Sequence, residues 1–204
     1  MVTRAMRVVA IGAVAAGLTA ACGGGGGGGG GAEHQVDVGG VLLDKAELAR
    51  LTGAGDKLTE SGGEVTQPAD DEDHAKSLPE PCQFIYRDTA AFGTVAHFAS
   101  RRYTVADPQA FVTETAAGYS DADAASTAFD ALADTVKRCG ADPFAPVLVG
   151  ELRVEGESIS SRTQTCGRSY RLIANAVVAS SSCGFAAETA DQVVSRLAEK
   201  AGEH

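Results

Sequence analysis

The sequence predicts an α+β domain, a mostly antiparallel sheet with helices packed on it and two disulfides. Three observations point there. Segments with helical spacing of apolar residues alternate with short β-rich segments and turn signals. Residues 40–204 leave roughly 165 residues, the size of one domain, and a chain of that length buries about 70% of its unfolded surface. Four cysteines fall inside it, Cys82, Cys139, Cys166 and Cys183, with no CxxC pair among them. There is no internal repeat.

The elements follow in order. "LLDKAELARLTGAG" predicts a helix with Asp44 as cap, Glu47 at the capping-box position, Leu48 and Leu51 on the apolar side and Gly53 as stop. Residues 54–81 are polar and irregular. "CQFIYR" (82–87) and "TVAHFASRRYT" (94–104) are expected to be strands, joined as a hairpin through "DTAAFG". "ADPQAFVTETAAGY" starts with Asp107 and Pro108, a cap and first-turn pair that predicts a helix. "ADAASTAFDALADTVKRCG" predicts a longer one, with Ala125, Phe129, Leu132, Val136 and Cys139 near one face and Gly140 after it. "PVLVGELRVEG" and "SISSRTQTC" are strand-like, and "SYRLI" and "AVVAS" pair as a hairpin. A last helix covers about 186–201, with Ala190, Val193, Val194, Leu197 and Ala201 on one side.

The first 39 residues are different in kind. Arg4 and Arg7 precede an apolar run of eleven residues, Val8 to Leu18, and then the small residues Thr19-Ala20-Ala21 and Cys22. This is the layout of a secretory signal, too short to span a bilayer. A cysteine after a small-residue site resembles the bacterial lipobox, which implies cleavage before Cys22 and a diacylglycerol on its thiol. Thr19 stands where that motif usually has Leu, so plain secretion is the alternative. Residues 1–21 are therefore expected to be a lipoprotein signal peptide, and 22–39 a lipidated cysteine with a Gly-rich tether. Gly23 to Gly31 have the most backbone freedom to lose on ordering, and such a coil spans roughly 15–18 Å. Acyl chains hold at about 0.8 kcal/mol per buried methylene. The predicted location is the extracytoplasmic face of the cell membrane.

Four cysteines in an exported domain suggest two disulfides, with three pairings open. Register selects one. If Ala174-Asn175 is the centre of an even-numbered turn, Leu172 faces Val177, Tyr170 faces Ala179 and Cys166 faces Cys183. That last pair falls at a non-hydrogen-bonded position, where Cα atoms lie about 4.5 Å apart, within disulfide reach. An odd-length turn would break the match. Cys82–Cys139 is the remaining pair.

Charge and motifs exclude several function classes. Losing residues 1–21 removes two basic groups and no acid, so the formal charge moves from −10 to −12. Binding nucleic acid or an anionic membrane surface by charge is disfavoured. No GxSxG is present, and "SSS" at Ser180–Ser182 reads as a solvated strand end. His34, His74, His97 and His204 are scattered, so no metal or cofactor site is expected. "DDED" (Asp70–Asp73) lacks the oxygen spacing and glycine of a calcium loop and reads as a solvated acidic loop. "SDADAAS" reads as a helix cap, and "GAGDK" lacks the strand and second glycines of a phosphate loop. Arg101-Arg102-Tyr103 and Arg168, Tyr170 and Arg171 stand out against the acidic background. On alternating strands Arg168 and Tyr170 share a face with the Cys166 bridge, and an Arg beside a Tyr suits an anion or a sugar. Surface charge balance is the plainer account of the same residues.

From about Ala125 to Ala201 the chain resembles the PknH-like extracellular sensor domains of actinobacterial kinases and stand-alone lipoproteins. Cys139 closes a helix, Cys166 precedes an Arg-containing strand, Asn175 lies in the turn, and Cys183-Gly184 precedes the last helix. The resemblance implies two disulfides, a sheet-plus-helix fold and a central cleft for a ligand. Family members usually carry Trp near these cysteines, where Val136 and Thr165 stand here, so no ligand contacts carry over. "EPCQF" fits a second actinobacterial lipoprotein family, with "PC" before a strand, about as well. The expected function is a membrane-anchored, non-catalytic ligand-binding or sensor module for a small molecule or envelope component, with Arg168 and Tyr170 as ligand contacts. The alternatives are a lipoprotein that docks an envelope protein partner, and an envelope hydrolase.

Overall fold

The structure, a computed structural model, describes residues 35–106 and 109–202. The leader, Cys22, the nine glycines, His34, Asp107, Pro108 and His204 lie outside the described residues. Seven strands form one antiparallel sheet: β1 (Thr59–Glu60), β2 (His97–Val105), β3 (Ala110–Gly118), β4 (Glu151–Glu155), β5 (Ser158–Arg162), β6 (Cys166–Ile173) and β7 (Ala176–Cys183). Their order across the sheet is β1-β2-β3-β7-β6-β5-β4. The β4–β7 meander thus returns to lay β7 against β3 in the middle.

Side-chain alternation gives the sheet two faces. On one, Tyr103, Val112 and Val178 pack under α7 (Thr189–Gly202), α1 (Val38–Val41) and Leu48 of α2 (Lys45–Thr52). The apolar side expected for the last helix is the side that α7 buries. Val36 and Val38 already belong to this core, so the packed globule begins before residue 40. The Asp44–Glu47 capping box forms, and Gly53 ends α2 in the left-handed region. On the other face, α5 (Ala122–Gly140) buries Phe129, Leu132 and Val136 against Phe98, Val177 and Ile159. Asp121 caps α5 through the Ala124 amide, and the helix runs on through Gly140.

Both bridges form as expected, Cys82–Cys139 and Cys166–Cys183. The hairpin has the expected register, with Ile173 facing Ala176 and Cys166 facing Cys183 at a Cα separation of 4.0 Å. Ala174 takes φ 49° in the turn.

Four expectations are corrected. Residues 82–87 are not a strand: Glu80–Ile85 is a 3-10 turn. Pro79 stands at its N-cap and Pro81 in its first turn, where a fixed φ suits a helical turn and a missing N–H costs nothing. No hairpin links it to β2; Asp88–Phe92 is a short helix, α4, stopped at Gly93. Residues 110–118 are strand β3 rather than helix, paired with β2 on one side and β7 on the other. The β-branched Val112, Thr113 and Thr115 favour this, and pairing on both sides overrides the helix-like Asp-Pro start. Finally, 145–148 is a short helical turn, α6 (Ala145–Leu148), and the strand begins only at Glu151. Gly150 makes this switch at φ 60°, where a Cβ would lie 1.9 Å from the Arg162 carbonyl oxygen. Residues 72–75 form one further short helix, α3 (Glu72–Ala75).

Candidate functional site

The helices on the α5 side cover only part of their face. Beside them the sheet floors a cleft of about 770 Å³. Its floor comes from β3, β7 and β6, with Arg102 of β2 at the rim. One wall is the segment from Ala69 to Asp88, and the other is α6 with the β5–β6 loop. A recess of about 70 Å³ adjoins it and shares Ile85, Asp88, Thr113, Arg168 and Ser181 with it.

Sheet register sets the floor. Arg102 pairs with Thr113, Thr113 with Ser181, and Ser181 with Arg168. The four side chains therefore form one row on one face, two hydroxyls between two guanidiniums. Two residues further along, on the same face, Phe111 and Cys183 pair, and the Arg102 guanidinium lies 3.8 Å from the Phe111 ring centroid. Arg168 Nη1 donates to the Leu148 carbonyl at 3.4 Å. Burial lowers the pKa of both arginines, and neither has a carboxylate within salt-bridge distance among the described residues. Thr113 Oγ1 is buried without a hydrogen-bond partner.

The acids of the wall are engaged locally. Asp70 accepts from the Thr89 amide, and Asp88 from the Ala69 amide at 3.1 Å. Burial pushes the Asp88 carboxyl up. Asp71 accepts from the His74 amide and pairs with His74 Nδ1 at 2.7 Å, contacts that hold its carboxyl below the usual range. Among the described residues no hydroxyl or thiol hydrogen-bonds the other ring nitrogen of His74, and no group of three His, Cys, Asp or Glu side chains could share a metal ion.

Of the residues singled out from sequence, Arg168 lies on the cleft floor, on the bridge's side of β6. Tyr170 lies next to it in the recess. Its ring is buried near Phe92, at 6.3 Å between centroids, and burial pushes its phenol up to about 12. The Arg101-Arg102-Tyr103 run splits between the faces. Arg102 is on the cleft side, Arg101 pairs with Glu64 at 2.6 Å, and Tyr103 is in the opposite core. Ser180–Ser182 is not a solvated strand end. These residues sit inside β7, with Ser180 and Ser182 buried, because β3 and β6 flank that strand on both sides. Sequence reasoning missed Thr113, Ser181 and Phe111, whose roles appear only once β3 is paired with β7.

Residues 34–203 match the family model described as "PknH-like extracellular domain". Among solved structures, the chain is similar to the crystal structure of the extracellular domain of PknH from Mycobacterium tuberculosis. The TM-score is 0.62 and the identity 16%, over 82% of this chain and 95% of that one. No curated protein matches.

Proposed function

Because the chain belongs to the family of PknH-like extracellular domains, we propose that it is an extracytoplasmic sensor module that captures a small molecule or envelope component in the cleft and does no chemistry on it. The cleft carries this reading. At about 770 Å³ it falls within the roughly 300–1,000 Å³ range of ligand sites, and its lining mixes apolar side chains such as Leu78, Ile85 and Leu148 with polar groups on the floor and on the Ala69–Asp88 wall. Arg168 is its best-placed polar contact, and Tyr170 supports the neighbouring recess. Two disulfides suit an oxidising compartment. Cys22 serves as the lipid-bearing residue, residues 1–21 as the signal peptide and the glycines as the tether.

A second reading has its own observation. Phe144 and Val147, beside the cleft, are 63% and 75% exposed. Large apolar side chains in that position favour docking an envelope protein partner.

Native mass spectrometry of the full chain extracted from its own membranes tests both. The cleft reading expects a retained small molecule together with lipid mass on Cys22. Loss of that molecule in Arg168→Gln would place it in the cleft. A chain that retains nothing but captures a protein partner, lost in Phe144→Ser, would replace the cleft reading with docking. A Cys22→Ser chain that stays with the membranes would remove the anchor.

A further inference from the structure

The charges on the cleft floor are arranged for one kind of ligand. Each acidic wall residue named above accepts hydrogen bonds from its own wall. Arg168 has five N–H donors, yet its one hydrogen bond among the described residues is a 3.4 Å contact to the Leu148 carbonyl. Arg102 has only the Phe111 ring beneath it. Arg168, partly removed from water, needs a counter-charge or acceptors, whereas Arg102 is exposed at the rim. In a chain with a formal charge of −10, two arginines lining one cleft without a carboxylate partner are conspicuous. Between them Thr113 Oγ1 is buried and unpartnered, and Ser181 completes the row. Two forks with hydroxyls between them match the donor pattern of a phosphate or carboxylate. Above this row the cleft is lined by Leu78, Ile85, Tyr86 and Leu148, which suit a hydrocarbon or aromatic body.

We propose that the Arg102–Thr113–Ser181–Arg168 row is an oxyanion site, and that the cleft takes an anionic amphiphile with its phosphate or carboxylate on this row and its apolar part against the Leu78–Ile85 wall. This rests on the cleft being the ligand site. Arg168, deeper and less solvated, supplies most of the grip. Arg102 adds a second contact at the rim.

The test is calorimetric titration of the full chain with four soluble probes: inorganic phosphate, n-hexyl phosphate, n-hexanol and n-hexyltrimethylammonium. n-Hexyl phosphate should bind at least about tenfold tighter than inorganic phosphate, and the alcohol and the cation should not bind measurably. Arg168→Gln should weaken n-hexyl phosphate about tenfold or more, and Arg102→Gln by a smaller factor. Arg168→Lys, which keeps the charge but not the fork, should recover part of the loss. The melting temperature of Arg168→Gln should not fall, which separates a ligand contact from a structural one.

Inorganic phosphate binding as tightly as n-hexyl phosphate would keep the oxyanion site but remove the amphiphile. Equal binding of n-hexanol and n-hexyl phosphate, or indifference to both arginine variants, overturns the oxyanion site. If the molecule retained in the native preparation is a cation or a neutral species lost in Arg168→Gln, the cleft reading stands and this proposal fails. No retained molecule and no probe binding sink both.

Discussion

The two faces of the central sheet are covered to different extents. On one, α7 and the α1–α2 segment close over Tyr103, Val112 and Val178, leaving aliphatic packing and one enclosed acid, Glu114. On the other, α5 and the Glu80–Ile85 turn close over Phe98 and Val177, then stop, leaving the row from Arg102 to Arg168 under open space. The closed face is packed throughout, while the half-open face keeps the room that the proposed ligand would need. The open side also carries the longer covalent constraint, since Cys82–Cys139 ties its wall to the end of α5. A wall that borders a cavity has fewer apolar neighbours to hold it, and a cross-link offsets that.

The largest expected effect tests how far the cleft wall depends on its bridge. Replacing Cys82 and Cys139 together with Ser should cost about 4 kcal/mol, and losing Cys166–Cys183 about 3, in the loop-entropy model with separations of 57 and 17 residues. Urea unfolding of the two double variants would show it. If the shorter loop proves the costlier, the wall does not depend on its bridge.

Next comes Leu197→Ala on the closed face, expected to cost about 3 kcal/mol because Leu197 is fully buried. The matching change at the cleft, Leu148→Ala, should cost well under half as much. Equal losses in a chemical melt would erase the distinction between the faces.

Glu114 gives a pH signature to the closed side. Its Oε2 accepts the Leu43 amide at 2.9 Å, and Oε1 has no partner. Burial pushes the carboxyl from its ordinary 4.5 up to about 8, against the pull of Arg101 on β2 and Lys200 on α7 and with the push of Glu47 on α2. The folded state therefore favours the protonated form. Its contribution is whole below about pH 4.5 and is lost as pH rises toward 8, with a slope of up to about 1.4 kcal/mol per unit. Glu114→Gln should flatten the fall in melting temperature between pH 5 and 8. A wild-type curve already flat in that window would refute the assignment. The smallest effect is at the cleft mouth, where Phe144→Ser should shift stability by no more than about 0.5 kcal/mol, read from the same melts.

Local features were readable in the sequence, and features that depend on distant pairing were not. The β6–β7 register followed from one turn centre with cysteines equidistant from it. The buried sides of α5 and α7 followed from 3.6-residue spacing. Residues 110–118 were misread because Asp107-Pro108 and the alanines imitate a helix start, while the strands on either side lie far away in the chain. The same misreading hid the floor of the cleft. Arg168 could be singled out by its charge, but Thr113 and Ser181 gain meaning only when β3 meets β7. Ser180–Ser182 looked solvated because hydroxyl side chains do not reveal that a strand is central.

Asn175, in the β6–β7 turn, accepts the Val36 amide with Oδ1 at 3.3 Å and donates to the Tyr119 carbonyl at 3.0 Å. With Glu114 holding Leu43, the incoming polypeptide is fastened at mid-sheet instead of at its rim. Were the chain pulled outward at residue 35, the load would pass first to the turn and strand that carry Asn175 and Glu114, and Glu114 lies on the side of the sheet away from the arginine-lined hollow.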